Sequence, residues 1–245
     1  MRKRYFIEKI NRSLFRNDKA YLDDYRQILT SYNKNDIKLL HLGGGRDKRN
    51  IGKVFKESGF FVLDTDLNGL LLNKNKNLIC GRAESAPLKD NSFDLVTLED
   101  VFEHIEYPHL LLDEMRRVLK PGSEIVFVTP NANSYISLLA RLTPFCFHKF
   151  YNKLRGVSTD DIFPTYYRFN TSRVIRRISR ERGFELVLFK SYIGCPEYFG
   201  FSAILHLTAS IFHKLASLVP FIEKEVCLNF LVILRLYAKR QGEIL

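Results

Sequence analysis

IKLLHLGGGRD, residues 37–47, is the stretch that decides the fold of this 245-residue chain. Its apolar run is long enough for one buried strand, and it stops at three glycines. A basic segment of helical composition, residues 48–58, comes next. Strand, glycine turn and helix in this order are typical of a nucleotide site in an α/β protein, because glycines let the backbone turn tightly and approach a ligand. A glycine triplet at a strand end also suits a plain turn, so the following elements decide between the two.

The second apolar run, residues 59–63, leads into two acidic residues, Asp64 and Asp66. An acidic residue about 20 positions beyond the glycines, at the end of the next parallel strand, can accept hydrogen bonds from both hydroxyls of a ribose. Asp66 is the better candidate for this role, and Asp64, on the same strand face, would support the site. The alternative for Asp66 is the cap of a turn or helix. The spacing from the glycine turn favours the ribose role.

Three further strands follow, at residues 78–80, 93–98 and 124–129. A helix that begins near Pro108 lies between the last two. Strands that alternate with helices predict parallel βαβ units with right-handed crossovers, and therefore an α/β fold with a doubly wound sheet. Ligands of such sheets bind beyond the carboxyl ends of the strands. Four groups fall at that edge: the glycines, Asp66, residues 82–84 and residues 99–104.

The composition is that of one substantial core with a basic surface. Apolar residues make up 46% of the chain, and Lys and Arg exceed Asp and Glu by 11. This excess predicts an anionic partner, which could be a nucleic acid, a lipid head group or a phosphorylated substrate. No signal peptide is recognisable. The cysteines are widely spaced, as buried reduced thiols are, and we expect an intracellular, cytoplasmic protein. They are Cys80, Cys146, Cys195 and Cys227.

Two segments could touch a membrane surface. Residues 1–19 combine seven basic residues with apolar residues at helical spacing, as an amphipathic interfacial helix does. The alternative is a helix that packs its apolar stripe on the domain. Residues 199–219 are nearly all apolar, but they carry one narrow polar stripe. It consists of Ser202, His206, Ser210, His213 and Ser217.

This apolar segment has three interpretations: a lid of one or two helices that pack on the domain, helices in a membrane interface, or a membrane-spanning helix. We favour the lid. The predicted domains are N-terminal helices in residues 1–36 and one domain over residues 37–245, with a helical insert at about residues 193–227.

The order of motifs over residues 37–131 resembles the class I S-adenosylmethionine-dependent methyltransferases, particularly the branch of the ubiquinone- and menaquinone-biosynthesis enzymes. The first two blocks are the glycine loop and Asp66-Leu67-Asn68. The remaining blocks are GRAESAPL (81–88), NSFDLV (91–96), EHI (103–105), RVLKPG (117–122) and TPN (129–131). The resemblance implies a Rossmann-like sheet of seven strands, mostly parallel, whose seventh strand, residues 229–239, runs antiparallel to the sixth, residues 184–190.

The resemblance implies S-adenosylmethionine as the cofactor and assigns roles by position. The glycine loop, Gly43, Gly44 and Gly45, would pass close to the methionine part. Asp66 would hold the ribose hydroxyls, and Leu67 would pack on the adenine.

The other end of the predicted site follows in the same way. Ala83 would offer backbone groups to the adenine edge, with Glu84 beside it. Arg82 occupies the position where the family commonly has an Asp that meets the adenine amino group. Glu99 would lie near the methionine end, and His104 near the methyl group or the acceptor.

Two further departures from the family pattern lie in the glycine loop. His41 replaces the acid that usually precedes the glycines and helps to position the methionine amino group. Asp47 replaces the third glycine. A non-catalytic relative of the methyltransferases is therefore one alternative. An NAD-dependent Rossmann enzyme is another interpretation of the glycine turn, but it leaves the FDLV strand and the RVLKPG turn unexplained.

Methyl transfer from a sulfonium needs alignment of nucleophile, methyl carbon and sulfur, and exclusion of water. If the acceptor is a hydroxyl, a base removes its proton. His104 is the catalytic candidate, because histidine titrates near neutral pH and this one falls at the ligand edge. Local capping or packing is its alternative role. Asp100 and Glu103 are weaker candidates, and no spacing indicates a metal site.

The C-terminal half contains residues that could bind the methyl acceptor. Tyr166, Tyr167 and Arg168 precede a basic helix, residues 172–182, whose N-cap is Asn170 or Thr171. This aromatic and arginine cluster could grip an anionic or sugar-bearing acceptor, or it could be a packing hinge. We expect methyl transfer to a small-molecule, lipid-linked or saccharide acceptor, with peripheral membrane contact. An RNA-binding methyltransferase is the alternative that the net charge favours.

Overall fold

In the computed structural model of the chain, seven strands form a single sheet. The structure describes residues 6–8, 10–11, 13, 21–32, 37–47, 50–55, 59–142, 163–194, 196, 199–219 and 225–238. The strands are β1 (Leu39–Leu42), β2 (Phe60–Asp64), β3 (Asn77–Cys80), β4 (Phe93–Glu99), β5 (Leu119–Pro130), β6 (Phe184–Tyr192) and β7 (Asn229–Leu236). Their order in the sheet is β3-β2-β1-β4-β5-β7-β6.

Six α-helices that accompany these strands have both ends among the described residues. They are α1 (Tyr21–Tyr32), α2 (Leu67–Leu71), α3 (Pro108–Val118), α4 (Tyr135–Leu142), α5 (Ser172–Glu181) and α6 (Ala203–Ser217). Shorter 3₁₀ turns cover Ile51–Val54, Ala83–Ser85 and Phe102–His104. The N-terminal helix predicted over residues 1–19 lies mostly outside the described residues, and residues 6–8, 10–11 and 13 of it are helical.

The centre of the sheet is parallel and apolar. Strand β1 pairs in parallel with β2 on one side and β4 on the other. Strand β2 then pairs in parallel with β3, and β4 pairs in parallel with β5. All four residues of β1 are buried, as expected for a strand covered on both faces. The sixth and seventh strands run antiparallel, because the amide of Leu228 donates to Tyr192 and the amide of Tyr237 donates to Gly183. The predicted fold class is confirmed.

Two predicted elements differ in the structure. The helix expected over residues 48–58 is, within residues 50–55, only the 3₁₀ turn Ile51–Val54, because Asp47 and Asn50 take positive φ angles of 49° and 55° that interrupt a helical backbone. Strand β5 begins at Leu119 rather than at residue 124. Its pairing with β4 shifts register between Phe93 and Leu95, where the Lys120-Pro121-Gly122 turn bulges out of the ladder.

The cysteines were expected to be buried, and Cys80 contradicts this. Its side chain is exposed at the end of the edge strand β3, whereas Cys227 is buried. Cys146 and Cys195 lie outside the described residues.

The chain divides into two compact units. The sheet unit comprises residues 22–129, 165–190 and 231–245, and the helical unit comprises residues 1–21, 130–164 and 191–230. Most of the sheet belongs to the first unit, and helices α4 and α6 belong to the second. The predicted division at residues 36 and 37 stays a prediction.

Candidate functional site

The glycine loop leaves β1 through a conformation that glycine adopts most easily. Gly43 has a φ of +68° and donates its amide to the carbonyl of Leu63 at 2.9 Å. A Cβ at this position would lie only 2.4 Å from Cγ2 of Val101. Gly43 is therefore required both by the backbone turn and by the valine that covers it.

The next glycine rests on a buried histidine. A Cβ on Gly44 would lie 2.6 Å from both His41 Cδ2 and Val62 Cγ1. The Nδ1 atom of His41 is 2.9 Å from the hydroxyl of Thr97, and the ring stacks on Phe60. Burial lowers the pKa of His41 to about 4, so the imidazole is neutral at physiological pH.

Asp64 ties the glycine loop to the end of β2. Its Oδ2 accepts the amide of Gly45 at 2.7 Å, and its Oδ1 accepts the amide of Asp66 at 2.8 Å. The side-chain amide of Asn73 donates to the carbonyl of Gly45 at 2.6 Å. Both carboxylate oxygens of Asp64 are thus committed to the backbone, which agrees with the supporting role expected for this residue.

Asp66 presents its carboxylate differently. It precedes α2 in an extended conformation, yet its side chain makes no capping hydrogen bond to the helix. A Cβ on Gly69 would lie 2.5 Å from Oδ2 of Asp66, so Gly69 provides the room in which this carboxylate sits. Leu67 follows with 55% of its surface exposed. The strand end therefore carries an acid beside an exposed apolar side chain.

Asp47 fits the place of the family's third glycine. Its φ of 49° lies in the left-handed region, where aspartate is tolerated better than most residues. Its carboxylate accepts the amides of Ile51 at 2.7 Å and Gly52 at 3.2 Å. The side chain therefore caps the 3₁₀ turn that follows the loop, and this departure preserves the local backbone.

The segment after β3 is anchored from α3. Glu114 accepts the amide of Ala86 at 2.8 Å, and Arg117 donates to the carbonyl of Ala86 at 3.1 Å. These bonds hold the turn that contains Ala83 and Glu84. Arg82 is exposed, and its Nη2 lies 3.9 Å from Oε1 of Glu84.

The end of β4 completes the edge. Glu99 is partly exposed, and the amide of the following Asp100, with a φ of 52°, donates to the carbonyl of Val128 at 3.1 Å. His104 ends the 3₁₀ turn with 32% of its side chain exposed, and its Nε2 lies 4.0 Å from Oε1 of the buried Glu103.

The loop that contains Tyr166 and Tyr167 is hydrogen-bonded to the turn that ends at His104. The amides of Tyr166 and Tyr167 donate to the carbonyl of Glu103 at 2.7 and 3.2 Å. The predicted aromatic cluster and the predicted catalytic residue, His104, are thus neighbours in the sheet unit. Tyr166 is 41% exposed, so it presents an aromatic surface beside this turn. Thr171, rather than Asn170, caps α5, because its hydroxyl accepts the amide of Val174.

Sequence reasoning missed three residues of this site. Val101 covers Gly43, Asn73 binds Gly45, and Arg117 holds the segment after β3. The alternating Asn and Lys residues at positions 73–77 were a turn signal, but nothing local named the partner of Asn73. Arg117 opens the RVLKPG motif, but nothing in that motif indicates what its side chain binds.

The arrangement fits S-adenosylmethionine in most of its groups. Asp66 offers oxygen acceptors for the ribose hydroxyls, Leu67 offers an apolar surface for the adenine, and the loop offers a backbone without side chains. His41 does not replace the missing acid, because it is buried and neutral. Within the described residues, no group of three or more His, Cys, Asp or Glu side chains could hold a metal ion.

Comparison with known sequences points the same way. The profile of a family described as a methyltransferase domain matches residues 44–127. An uncharacterized protein of Methanocaldococcus jannaschii is 33% identical over 121 residues, which are 49% of this chain and 52% of that protein. A demethylmenaquinone methyltransferase of Oceanobacillus iheyensis is 26% identical over 168 residues, 65% of this chain and 69% of that enzyme. The chain thus spans about half the length of the archaeal relative.

Solved structures resemble the chain in fold. A methyltransferase from Methanosarcina mazei, described as dependent on S-adenosylmethionine, superposes with a TM-score of 0.57 at 16% identity. The match covers 86% of this chain and 98% of that one. A methyltransferase from Mesorhizobium loti with the same described dependence reaches a TM-score of 0.54 at 15% identity, over 87% and 96% of the two chains. At this identity the likeness concerns the fold alone.

Proposed function

We propose that the chain is a class I S-adenosylmethionine-dependent methyltransferase, which binds S-adenosylmethionine at the carboxyl edge of its sheet and methylates a small molecule. The methyltransferase-domain match over residues 44–127 and the demethylmenaquinone methyltransferase relative support this proposal. One observation carries the proposal: both carboxylate oxygens of Asp64 accept backbone amides, those of Gly45 and Asp66, whereas the neighbouring carboxylate of Asp66 makes no capping hydrogen bond. A carboxylate in that place can accept hydrogen bonds from both ribose hydroxyls.

Each residue then has a task in binding or alignment. Asp66 would hold the ribose, Leu67 would cover one adenine face, and the glycine loop would border the methionine part. Ala83 and Glu84 would flank the adenine edge, and Glu99 would lie near the methionine end. The exposed Arg82 would lie beside that adenine edge. The bound cofactor supplies an activated methyl group, so the protein mainly has to align the acceptor and exclude water.

His104 is the proposed base for a hydroxyl acceptor. It is partly exposed, and its turn is held by the loop that carries Tyr166 and Tyr167. A base in this place can take the acceptor's proton as the methyl group moves. The two tyrosines and Arg168 would contact the body of the acceptor.

For the acceptor, we propose a lipid-linked, quinone-like molecule ahead of a saccharide. The relative from Oceanobacillus iheyensis, named a demethylmenaquinone methyltransferase, supports this choice. A cytoplasmic location with peripheral membrane contact accompanies the proposal. No helix in the described part of the chain is long and apolar enough to cross a membrane.

One observation favours the RNA alternative. Arg173, Arg176, Arg177 and Arg180 line a cavity of about 470 Å³ beside α5. A gel shift with single-stranded RNA at rising salt separates the two proposals. Salt-sensitive binding that falls in Arg176→Gln/Arg177→Gln would support RNA, and its absence would leave the small-molecule acceptor.

Calorimetric titration with S-adenosylmethionine tests the proposed function. We expect binding by the native chain, and an affinity lower by about ten- to a hundredfold in Asp66→Ala, because two charge-assisted hydrogen bonds are lost. Asp23→Ala, which removes an exposed carboxylate from α1, is the matched control and should bind as the native chain does. Absence of binding by the native chain would instead identify a non-catalytic relative.

A further inference from the structure

The middle of the polar stripe on helix α6 faces inward. His206, Ser210 and His213 have no exposed surface. The Nε2 atom of His206 is 2.7 Å from the side-chain oxygen of Asn11, and the hydroxyl of Ser210 donates to the carbonyl of His206 at 2.7 Å. The Nδ1 atom of His213 is 3.0 Å from the carbonyl of Gly194. The polar side of this helix is thus the side that packs within the helical unit.

The opposite side of α6 is apolar and exposed. A surface helix of a globular protein normally has the reverse arrangement. The most exposed side chain, Ile204, shows 76% of its surface, and Leu215 shows 61%. The large apolar side chains on this face and just beyond it are Ile204, Leu205, Ile211, Phe212, Leu215 and Leu218. A contiguous exposed apolar face of this kind marks an interaction site.

The composition of the segment that carries this face suits an anionic partner. Residues 199–222 contain no Asp or Glu, and the only charged residue among them, Lys214, is exposed. The buried side of α6 is bonded through His206 to Asn11, which belongs to the segment of residues 1–19 with seven basic and two acidic residues. The whole chain has a formal net charge of +11. An anionic lipid surface attracts a chain with this net positive charge and with no acidic residue beside its exposed apolar face.

We propose that the outward face of α6 docks into the head-group region of an anionic phospholipid bilayer. Its 15 residues span about 22 Å at the α-helical rise, less than the roughly 30 Å of a bilayer core. The helix therefore lies along the surface, and its apolar side chains enter the interface. The proposal deepens the peripheral membrane contact proposed above, and it requires no methyl transfer.

Flotation with lipid vesicles tests this docking. We expect the native chain to float with vesicles of phosphatidylcholine and phosphatidylglycerol, and to stay at the bottom with phosphatidylcholine alone. The variant Ile211→Gln/Leu215→Gln should lower the vesicle partition coefficient at least about tenfold, because two apolar side chains no longer leave water. High salt should weaken the binding of the native chain.

Val187→Gln is the matched control, because it removes an exposed apolar side chain from β6 and leaves α6 intact. It should float as the native chain does. Equal flotation of the α6 variant, or no flotation of the native chain, overturns the proposal. So does light scattering that shows a native dimer and a monomeric α6 variant, since the face would then join two copies. Calorimetry with S-adenosylmethionine on the same proteins reports the methyltransferase proposal separately.

Discussion

The glycine loop and helix α6 place their polar groups in opposite environments. In the loop, carboxylates and amides bond to the backbone at the edge of the sheet, and apolar residues such as Val62 and Val101 lie beneath or beside it. On α6, the histidines and the serine are buried and the isoleucines and leucines face outward. In the loop the polar groups have partners in the chain, whereas on α6 an apolar face stays exposed to water, which is the feature that the proposed membrane contact would bury.

The largest loss of stability is expected for Gly43→Ala. The substitution adds strain at a φ of +68° and a methyl group 2.4 Å from Val101, which together should cost about 4 kcal/mol. Gly122→Ala has a φ of +82° with nothing within 4 Å of its Cβ, so it should cost only about 1–2 kcal/mol. Denaturant unfolding measures both. Equal losses would mean that Val101 does not cover the loop, and Val101→Ala should rescue part of the loss in Gly43→Ala.

The next effect concerns pH and His41. Its pKa is lowered from 6.5 to about 4, because burial disfavours the imidazolium. The folded chain therefore favours the neutral form, so this contribution to stability is complete above pH 6.5 and is lost as the pH falls through 4. The loss should reach about 3 kcal/mol below that window.

His41→Gln isolates this effect. The glutamine cannot be protonated, so the stability difference between the native chain and the variant should change over that pH range. Chemical unfolding at several pH values measures it. A difference that stays constant from pH 7 to pH 4 would show that His41 is not buried in neutral form.

A smaller effect is expected at Asp47. Asp47→Ala loses the cap on the amides of Ile51 and Gly52 and keeps an unfavourable positive φ, for a cost of about 2 kcal/mol. Asp47→Gly also loses the cap but relieves the backbone, and should cost less than Asp47→Ala. Thermal unfolding of both variants gives the comparison. The reverse ranking would contradict the left-handed conformation.

The smallest effect should occur on α6. Ile211→Gln/Leu215→Gln changes exposed side chains and should alter the free energy of unfolding by less than about 0.5 kcal/mol in the absence of vesicles. Ser210→Leu places a larger side chain in a fully buried position and should cost about 1–3 kcal/mol. If Ile211→Gln/Leu215→Gln strongly lowered the free energy of unfolding and Ser210→Leu left it unchanged, the helix would face the other way.

The difference between the two regions also explains what the sequence could predict. Apolar runs, glycines and acids at fixed spacing predicted the parallel strands and their order along the chain, and the ribose role of Asp66 stays a prediction. These features depend on neighbours along the chain. The periodicity of α6 revealed a polar stripe, but it could not tell which side faces inward, because that depends on Asn11 and Gly194, far away in sequence.

The same limit applies to the contacts that complete the site. The bond between Tyr166 and Glu103 joins residues more than sixty positions apart, and no local pattern reports it. The helix predicted over residues 48–58 was wrong within residues 50–55, because positive φ angles at two residues override helical composition. Cys80 is exposed because β3 is the edge strand, which composition does not reveal.

We propose that Asp66 holds the cofactor, whereas Asp64 holds the loop. Titration of S-adenosylmethionine into Asp66→Asn and Asp64→Asn, with thermal unfolding of both, tests it most directly. We expect Asp66→Asn to keep its stability and lose cofactor affinity, and Asp64→Asn to lose stability, because the amides of Gly45 and Asp66 lose their charged acceptor. An Asp66→Asn variant that binds as tightly as the native chain would contradict it.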